Sequence, residues 1–370
     1  MKHCRFASGI LLAGLIAACS DPAQGPGTEE PQMPGGETIV FEADTLHQTA
    51  DSGTPPTTTL NIGEFKVTAY AKDRWGQDSM IMDNVVVTRT GPNSWTYDQP
   101  VRWPSTPVDF FAVSPASVQM INNQWWEHRA KFTWQDGGTD FLVCVRMGVR
   151  QGEGNIKLNF RHALAQLKIN LRTGFTAADD YEVRIGLVRL ADFPDYGEFT
   201  FPKVTTGPDT NRGELFDCWN LYNHTGVRHT YFQASDPGGY LTVPAGGLDL
   251  VEGSYFIPFN LTQLEGGGTY YTGTRLEVAC KIVSRSDGRV LWPDGSEDYG
   301  DRWGDGYYLS RLSLYGSTPS HRWVPGRSYT YNVNFTLPTQ AAKIPPDRIN
   351  PSTASSPPSP VTLSASSAPY

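Results

Sequence analysis

The sequence lacks the features that mark several large classes of protein. Its formal net charge is −8, from 30 basic and 38 acidic residues, so there is no basic excess to displace counterions from a nucleic acid. Beyond the first 18 residues, no apolar run is long enough to span a bilayer. Only five of the 370 residues are cysteine, and their spacing fits neither a zinc site nor a disulfide framework. We therefore exclude nucleic-acid-binding proteins, polytopic membrane proteins and disulfide scaffolds.

Catalytic motifs are also missing. The chain contains no Gly-x-Ser-x-Gly elbow, no His-Glu-x-x-His pair, no phosphate-binding loop and no Gly-rich dinucleotide turn. Its densest acidic stretch, residues 294–305, carries enough carboxylates to attract Ca²⁺ but lacks the ligand order of an EF-hand. We predict a protein that is not an enzyme and has no catalytic residues, no cofactor and no metal centre.

The N-terminus has the pattern of an export signal. A positive start is followed by an apolar run over residues 6–18, which is shorter than a transmembrane helix. The run ends in small residues directly before Cys19, as in the lipobox of bacterial lipoproteins. Cys19 is the only nucleophilic side chain at this junction and can carry the acyl chains that give stable anchoring. We predict a signal peptide over residues 1–18, a lipid on Cys19 and a flexible tether over residues 19–37; the alternative is an ordinary cleaved signal.

The rest of the chain predicts an all-β fold. Apolar and polar residues alternate with period two over many short segments, most clearly over residues 328–337, as in antiparallel sheets with one buried face. No segment keeps a 3.6-residue period. Turn-forming residues at 173–180 divide two stretches of sandwich size, residues 38–174 and 175–337. The Pro- and Ser-rich residues 338–370 are expected to form a tail that is largely solvated.

Several segments, in this order, resemble one family: the lipobox, residues 38–43, 65–70, 95–97, 103–104, 108–115 and 158–171, and the Trp-Val-Pro-Gly-Arg-Ser-Tyr motif at 323–329. Their sequence and order are similar to those of the Mfa-like fimbrillins, surface lipoproteins of Bacteroidales. The resemblance implies two tandem transthyretin-like antiparallel β-sandwiches. It also implies a stalk, anchor or tip subunit of a fimbrium at the outer membrane, lipid-anchored at least as a precursor, that binds a host or bacterial surface ligand.

In that family a protease removes the N-terminal strand, and a terminal segment of a neighbouring subunit fills the exposed groove, head to tail. The resemblance implies that the exchangeable strand is made of Thr38, Ile39, Val40, Phe41, Glu42 and Ala43. The alternative is a first strand that never leaves. The following loop, residues 45–63, contains no Arg or Lys. The first basic residues, Lys66, Lys72 and then Arg74, lie within or just after the next predicted strand. This departs from the family's processing after an arginine in the loop.

Three further assignments stay open at this stage. Val361, Thr362 and Leu363 form a candidate donor segment, against the alternative of a solvated tail. Trp125 and Trp126 form a candidate glycan contact, against core packing, and they support a second interpretation, a monomeric glycan-binding surface lipoprotein. Cys218 and Cys280 are either paired, as an exported protein allows, or separate.

Overall fold

The alternating segments of the sequence fold into strands. The structure is a computed structural model that describes residues 37–45, 62–73, 75–124, 127–135, 137–202, 215–223, 226–235, 238–267, 270–294, 302–304, 306–336 and 361–369. The strands are β1 (Phe41–Thr45), β2 (Glu64–Lys72), β3 (Asp78–Gly91), β4 (Ser94–Thr96), β5 (Val108–Ser114), β6 (Gln119–Gln124), β7 (Glu127–Thr133), β8 (Leu142–Val149), β9 (Ile156–His162), β10 (Ala165–Thr173), β11 (Tyr181–Ala191), β12 (Tyr196–Thr200), β13 (Trp219–Asn223), β14 (Arg228–Gln233), β15 (Leu241–Val243), β16 (Leu248–Phe256), β17 (Glu265–Gly267), β18 (Tyr270–Thr272), β19 (Arg275–Ser284), β20 (Val290–Trp292), β21 (Arg302–Trp303), β22 (Tyr307–Ser313), β23 (Arg327–Phe335) and β24 (Val361–Pro369). Short 3₁₀ helices cover Leu215–Cys218 and Tyr315–Ser317.

The strands form four larger sheets and one separate hairpin. Sheet I has the order β1-β9-β8-β5-β2-β3-β4, and sheet II the order β13-β12-β7-β6. Sheet III has the order β16-β10-β23-β24, and sheet IV the order β14-β11-β19-β22-β21, with β15 and β20 at its margins. Strands β17 and β18 pair only with each other. All these strands belong to one compact unit, residues 33–370.

Both faces of the central strands of sheet I, β2, β5 and β8, are largely buried. One face supplies a hydrophobic cluster that includes Phe65, Phe110 and Phe160. Because β1 and β4, at opposite edges of the sheet, contact each other, the sheet curls around this cluster. The other face packs against sheet II through a second cluster that includes Phe111 from sheet I and Phe199 from sheet II. This double burial explains why β2, β5 and β8 are apolar over most of their length.

Sheets III and IV pack face to face around the largest hydrophobic cluster. Sheet III contributes Leu167 from β10 and Tyr331 from β23, and sheet IV contributes Ile185 from β11 and Val278 from β19. The predicted all-β, β-sandwich class is therefore confirmed. Two stacked sheets with alternating side chains exclude water from the space between them, and this exclusion is the main favourable term in their stability.

The boundary predicted at residues 174/175 does not follow the sheets. Strand β10, which ends at Thr173, pairs with β16 and β23 of sheet III. Strand β12 lies after the predicted boundary, yet it pairs with β7 in sheet II. The turn at 173–180 is a real local feature of the sequence, but strand pairing is decided by distant partners. Sheet II therefore combines strands from both sides of the boundary.

Trp134 packs between the pair of sheets I and II and the pair of sheets III and IV. Its indole Nε1 donates to the carbonyl oxygen of Tyr255 at 2.7 Å, and its ring stacks on Phe256 with 5.2 Å between centroids. It contacts the cluster between sheets III and IV as well as the cluster between sheets I and II. A large aromatic side chain in this position fixes the two pairs of sheets against each other.

The end of the chain departs from expectation. Residues 361–369 form β24, which pairs antiparallel with β23 over nine consecutive residue pairs. Val361 is only 2% exposed, and Leu363 packs against the same cluster. The prediction of a solvated tail is wrong for these nine residues, because the short alternation at Val361–Ala365 matches the uncovered edge of β23. Cys218 and Cys280 lie in different hydrophobic clusters and are not joined to each other.

A buried network of charges lies on the side of sheet IV that faces away from sheet III. Arg275, 1% exposed, donates from Nη1 to Asp192 Oδ2 and from Nε to Glu277 Oε1, both at 2.8 Å. Arg189 also donates to Glu277. Asp192 adopts a positive φ of 57° and accepts from two backbone N–H groups, those of Gly226 and Gly273. The network therefore ties two loops to the ends of β11 and β19.

We predict that Glu277→Gln lowers the free energy of unfolding by about 3–5 kcal/mol at pH 7, because it removes one of the two carboxylates that pair with the buried Arg275 and also the carboxylate that pairs with Arg189. Burial alone would raise the pKa of Glu277, but the hydrogen bonds and charges of Arg189 and Arg275 outweigh it and hold the pKa below its ordinary value of 4.5. The stabilisation is present above that ordinary value and is lost as the pH falls below it. Urea denaturation at several pH values between 7 and 3 should show the stabilities of the wild-type protein and the variant converging below pH 4.5.

The matched control is Glu182→Gln, which breaks a partly exposed ion pair with Arg184 on the same sheet. A surface pair of this kind contributes about 1 kcal/mol or less. If the two variants lose the same stability at pH 7, the buried network does not have the role that its burial indicates.

Candidate functional site: the N-terminal strand and its groove

The predicted exchangeable strand, Thr38–Ala43, is extended and inserted into the structure. Thr38 forms an isolated bridge with Arg102, and β1 begins three residues later. Ile39 and Phe41 are buried, at 0% and 1% exposure, while Val40 between them is 43% exposed. The alternation in the sequence therefore corresponds to one face in the core and one face in solvent.

The backbone of this segment is hydrogen-bonded on both sides. On one side β1 runs parallel to β9, from the pair Phe41–Ile156 onward, and the Ile156 N–H donates to the Val40 oxygen at 2.8 Å. On the other side the Ile39 N–H donates to Val101 at 2.9 Å, and the Trp103 N–H donates to Glu37 at 3.1 Å. We call the slot between β9 and residues 101–103 the N-terminal groove.

The floor of the N-terminal groove is aromatic. The Phe41 ring lies 5.8–6.0 Å, centroid to centroid, from the rings of Phe65, Tyr97 and Phe110. Edge-to-face contacts of this type add to the hydrophobic gain from burying a large side chain. Phe41 is thus the main apolar anchor of the segment, with Ile39 and the smaller Ala43 beside it in the same cluster.

Tyr97 joins the segment to the groove wall. Its hydroxyl donates to the Ile39 oxygen at 2.8 Å and accepts from the Val101 N–H at 3.2 Å. Burial raises the pKa of Tyr97, although the Val101 hydrogen bond opposes the shift, so the hydroxyl stays protonated and able to donate. Without the segment, this hydroxyl would lose its acceptor inside the protein.

The rim of the groove is polar. Asn155 Nδ2 donates to Glu42 Oε1 at 2.9 Å, and Glu42 stands opposite Lys157 in the β1–β9 register. Exposed pairs of this kind contribute little energy, but they favour one register over its neighbours. Together, floor and rim form a site whose natural occupant is a short extended segment with apolar residues at every second position.

A family model described as fimbrillin-like matches residues 53–245, just over half of the chain. The chain belongs to the fimbrillin-like family. The match begins after β1 and ends after β15, so it covers most of the wall of the N-terminal groove.

One solved structure shows a similar fold. A fimbrial protein from Bacteroides vulgatus is 15% identical, with a TM-score of 0.52 over 80% of this chain and 94% of that one. A fimbrilin from Porphyromonas gingivalis is 10% identical, with a TM-score of 0.44 over 90% of this chain and 97% of that one. No curated protein sequence matches the chain. Within the described residues, no helix has the length and hydrophobicity needed to cross a membrane.

The positions of the first basic residues bear on proteolytic processing of the fimbrillin-like chain. Lys66 and Lys72 both lie in β2, which pairs with β3 on one side and β5 on the other. Lys66 Nζ also donates to the Val118 oxygen at 3.1 Å. Cleavage at either lysine would cut a central strand of sheet I. Residues 46–61, which contain no Arg or Lys, lie outside the described residues.

The other predicted site residues are placed as follows. Val361, Thr362 and Leu363 begin β24 on the edge of sheet III. Cys19, Trp125 and Trp126 lie outside the described residues, as does most of the acidic stretch at 294–305. Among the residues that are described, no group of three or more His, Cys, Asp or Glu side chains converges as a metal site would require.

Sequence reasoning did not find the groove wall. Tyr97 and residues 101–103 are separated from β1 by more than fifty residues, and their hydrogen bonds to residues 37–39 all involve backbone groups of that segment, which carry no residue-specific signal. The short aromatic segments 95–97 and 103–104 did contribute to the family resemblance. They indicated that these positions matter, but not that they contact the first strand.

We predict that Phe41→Ala lowers the free energy of unfolding by about 3–5 kcal/mol, the usual loss for a buried Phe. Val40→Ala, the matched control on the exposed side of the same segment, should change it by about 0.5 kcal/mol or less. Urea denaturation of the two variants measures the difference. Equal and small effects would mean that β1 does not hold sheet I closed.

Proposed function

We propose that this protein is a structural subunit of a cell-surface fimbrium that assembles head to tail by β-strand exchange and supports cell adhesion. In this proposal β1 is removed from the precursor, and the C-terminal segment of another copy occupies the N-terminal groove. Membership of the fimbrillin-like family supports the fimbrial role. The seating of β1 supports the mechanism of assembly.

The observation that carries the proposal is the way in which residues 37–45 complete sheet I. The segment supplies buried Ile39 and Phe41 as well as hydrogen-bond partners for both walls of the groove. Removing it would leave an apolar slot lined by unpaired N–H and C=O groups. An extended peptide satisfies both needs at once, which is the basis of recognition by strand addition.

The C-terminal strand matches this slot. The buried side of the N-terminal segment reads Ile39, Phe41 and Ala43, and the buried side of β24 reads Val361, Leu363 and Ala365. In each segment the first two buried side chains are larger than the third, which is alanine. The residues between them on β24, Thr362 and Ser364, are exposed, as the outer side of a strand in the groove must be. This pattern supports Val361–Leu363 as the donor segment.

Such a contact builds a fibre. The donor strand and the N-terminal groove are different surfaces of the same chain, so one copy can give and receive at once. Interfaces of this heterologous type continue in a line unless their rotation happens to close a ring. The 25 residues of 336–360 can extend to roughly 80 Å, at about 3.3 Å per residue, which is ample for β24 to reach a neighbouring copy.

We also propose that the precursor reaches the outer membrane as a lipoprotein acylated on Cys19. A subunit that keeps this lipid would serve as an anchor, whereas removal of residues 1–45 would free it for the stalk or the tip. The absence of Arg and Lys from residues 45–63 favours either a protease with another preference or retention of the lipid.

Intact-mass measurement and N-terminal sequencing of the protein from its native cell surface separate these roles. A mature N-terminus between residues 45 and 63, without lipid, is the result expected for a polymerising subunit. A chain that still begins at acylated Cys19 indicates an anchor or a free-standing surface lipoprotein, the second interpretation of the sequence. An N-terminus at residue 19 or 20 without any lipid would contradict the lipoprotein assignment.

Strand exchange can be tested by inserting a site for a sequence-specific protease within residues 46–61, so that the chain folds before it is cut. After cleavage, we expect a labelled peptide of residues 359–370 to bind saturably and to displace the N-terminal fragment. Peptides with Val361→Asp or Leu363→Asp should bind about 100-fold more weakly or worse, since an unpaired buried charge costs several kcal/mol. Thr362→Asp, on the exposed side, is the matched control and should bind nearly as well as the natural peptide.

The uncut chain measures any peptide binding that does not depend on the N-terminal groove. Without peptide, the cut chain at high concentration should form fibres that electron microscopy can detect. If the N-terminal fragment leaves but the cut chain neither binds the peptide nor self-associates, the proposed mechanism is wrong.

A further inference from the structure

The connection between the last two strands is far longer than their positions require. Strands β23 and β24 are antiparallel neighbours, paired from Phe335–Val361 to Arg327–Pro369. The end of β23 and the start of β24 thus lie directly opposite each other. A hairpin of this geometry needs two to five connecting residues, yet residues 336–360, 25 in number, separate the two strands.

Strand β24 contacts the rest of the protein mainly through the edge of β23 and the cluster between sheets III and IV, which every copy of the chain has. Its backbone pairs with β23, Val361 is buried, and Leu363 and Ala365 pack against the cluster between sheets III and IV. On the exposed side, Asn334 Nδ2 donates to the Ser364 hydroxyl at 3.1 Å. A second copy offers the same edge of β23 and the same apolar cluster.

We infer that the edge of β23 is a self-association surface that takes β24 from a second copy of this chain, giving a dimer with reciprocally exchanged C-terminal strands. Every contact made by β24 within one copy is made between copies after the exchange, so the exchange itself costs no contact. Exchange of identical elements between protomers is a low-cost route to dimers when the connection allows it. A fully extended 25-residue connection, roughly 80 Å long, allows it.

The length of the connection also weakens the preference for the closed monomer. The effective concentration of a tethered segment falls roughly as the −3/2 power of tether length. A connection of 25 residues therefore holds β24 at about one-tenth of the effective concentration that a five-residue connection gives. Flexible tethers still give values in the millimolar range, so at micromolar protein the exchanged dimer is a minor species that must be trapped to be seen.

This inference does not rest on the proposed fimbrial assembly. In this inference the edge of β23 pairs with β24 of the second copy, and β1 stays in the N-terminal groove. A chain that assembles through the N-terminal groove can fail to exchange β24 at β23, and the reverse also holds.

The test uses the full chain in detergent and cysteines at facing positions of the two strands. Thr330 on β23 is opposite Ser366 on β24, with both side chains on the polar side of sheet III. Thr330→Cys and Ser366→Cys variants are mixed, incubated at high concentration and oxidised. We expect a disulfide-linked dimer whose peptide map contains the 330–366 link. A mixture of Thr330→Cys with Thr88→Cys, on an exposed position of β3, measures random collisions and should give at least fivefold less.

Two further variants complete the experiment. The double variant Thr330→Cys/Ser366→Cys should form a disulfide within one chain, which shows that this pair of positions has suitable geometry. The double variant Asn332→Cys/Ser364→Cys tests a second pair of facing positions in the same way. Deleting residues 338–357 leaves a five-residue connection and should reduce the intermolecular link about tenfold. The inference is overturned if a pair closes within one chain but gives no link between chains above the control. It is also overturned if neither pair closes within one chain, or if the deletion leaves the link unchanged.

Discussion

Each strand edge in this protein has a row of N–H and C=O groups that must be paired or exposed to water, and the architecture follows from how those edges are completed. Sheet I curls until its two edge strands, β1 and β4, contact each other. Residues 37–45, which include β1, fill the N-terminal groove, with hydrogen bonds to β9 on one side and to residues 101–103 on the other. A short N-terminal segment thereby determines whether the cluster inside sheet I is closed.

The same constraint operates at the other end of the chain. Strand β23 lies between β10 and β24, so the C-terminal strand covers an edge that would otherwise be open. Both terminal strands are therefore edge fillers with apolar residues at alternate positions. They differ in how they are attached: β1 follows residues with the composition of a tether, and β24 follows 25 residues rich in proline and serine.

Contacts between distant segments hold the rest of the protein together. Sheet II takes strands from both parts of the sequence, Trp134 packs against two of the large clusters, and Arg275 is buried among carboxylates that hold loops to strand ends. These contacts involve elements separated by tens of residues along the chain.

Local pattern was sufficient to predict strands wherever one face is buried. The alternation in residues 38–43 and 328–337 appears in the structure as buried and exposed sides, because side chains on a strand point alternately to its two faces. Local sequence pattern did not predict which strands pair with each other. The turn at 173–180 suggested a domain boundary, but β10 and β12 joined sheets on the other side of it. Strand pairing is made by backbone groups common to all residues, so it leaves no mark in a single sequence.

The amino-acid sequence by itself determined the all-β class, the family resemblance and the alternation of the N-terminal segment, since these depend on residue type and spacing along the chain. Only the tertiary structure decided that Tyr97 and Val101 form a wall of the N-terminal groove, that Trp134 packs between two hydrophobic clusters and that residues 361–369 complete the edge of β23. Each of these contacts joins residues far apart in the sequence, and the energy that selects them comes from burial and hydrogen bonding realised only in the folded chain.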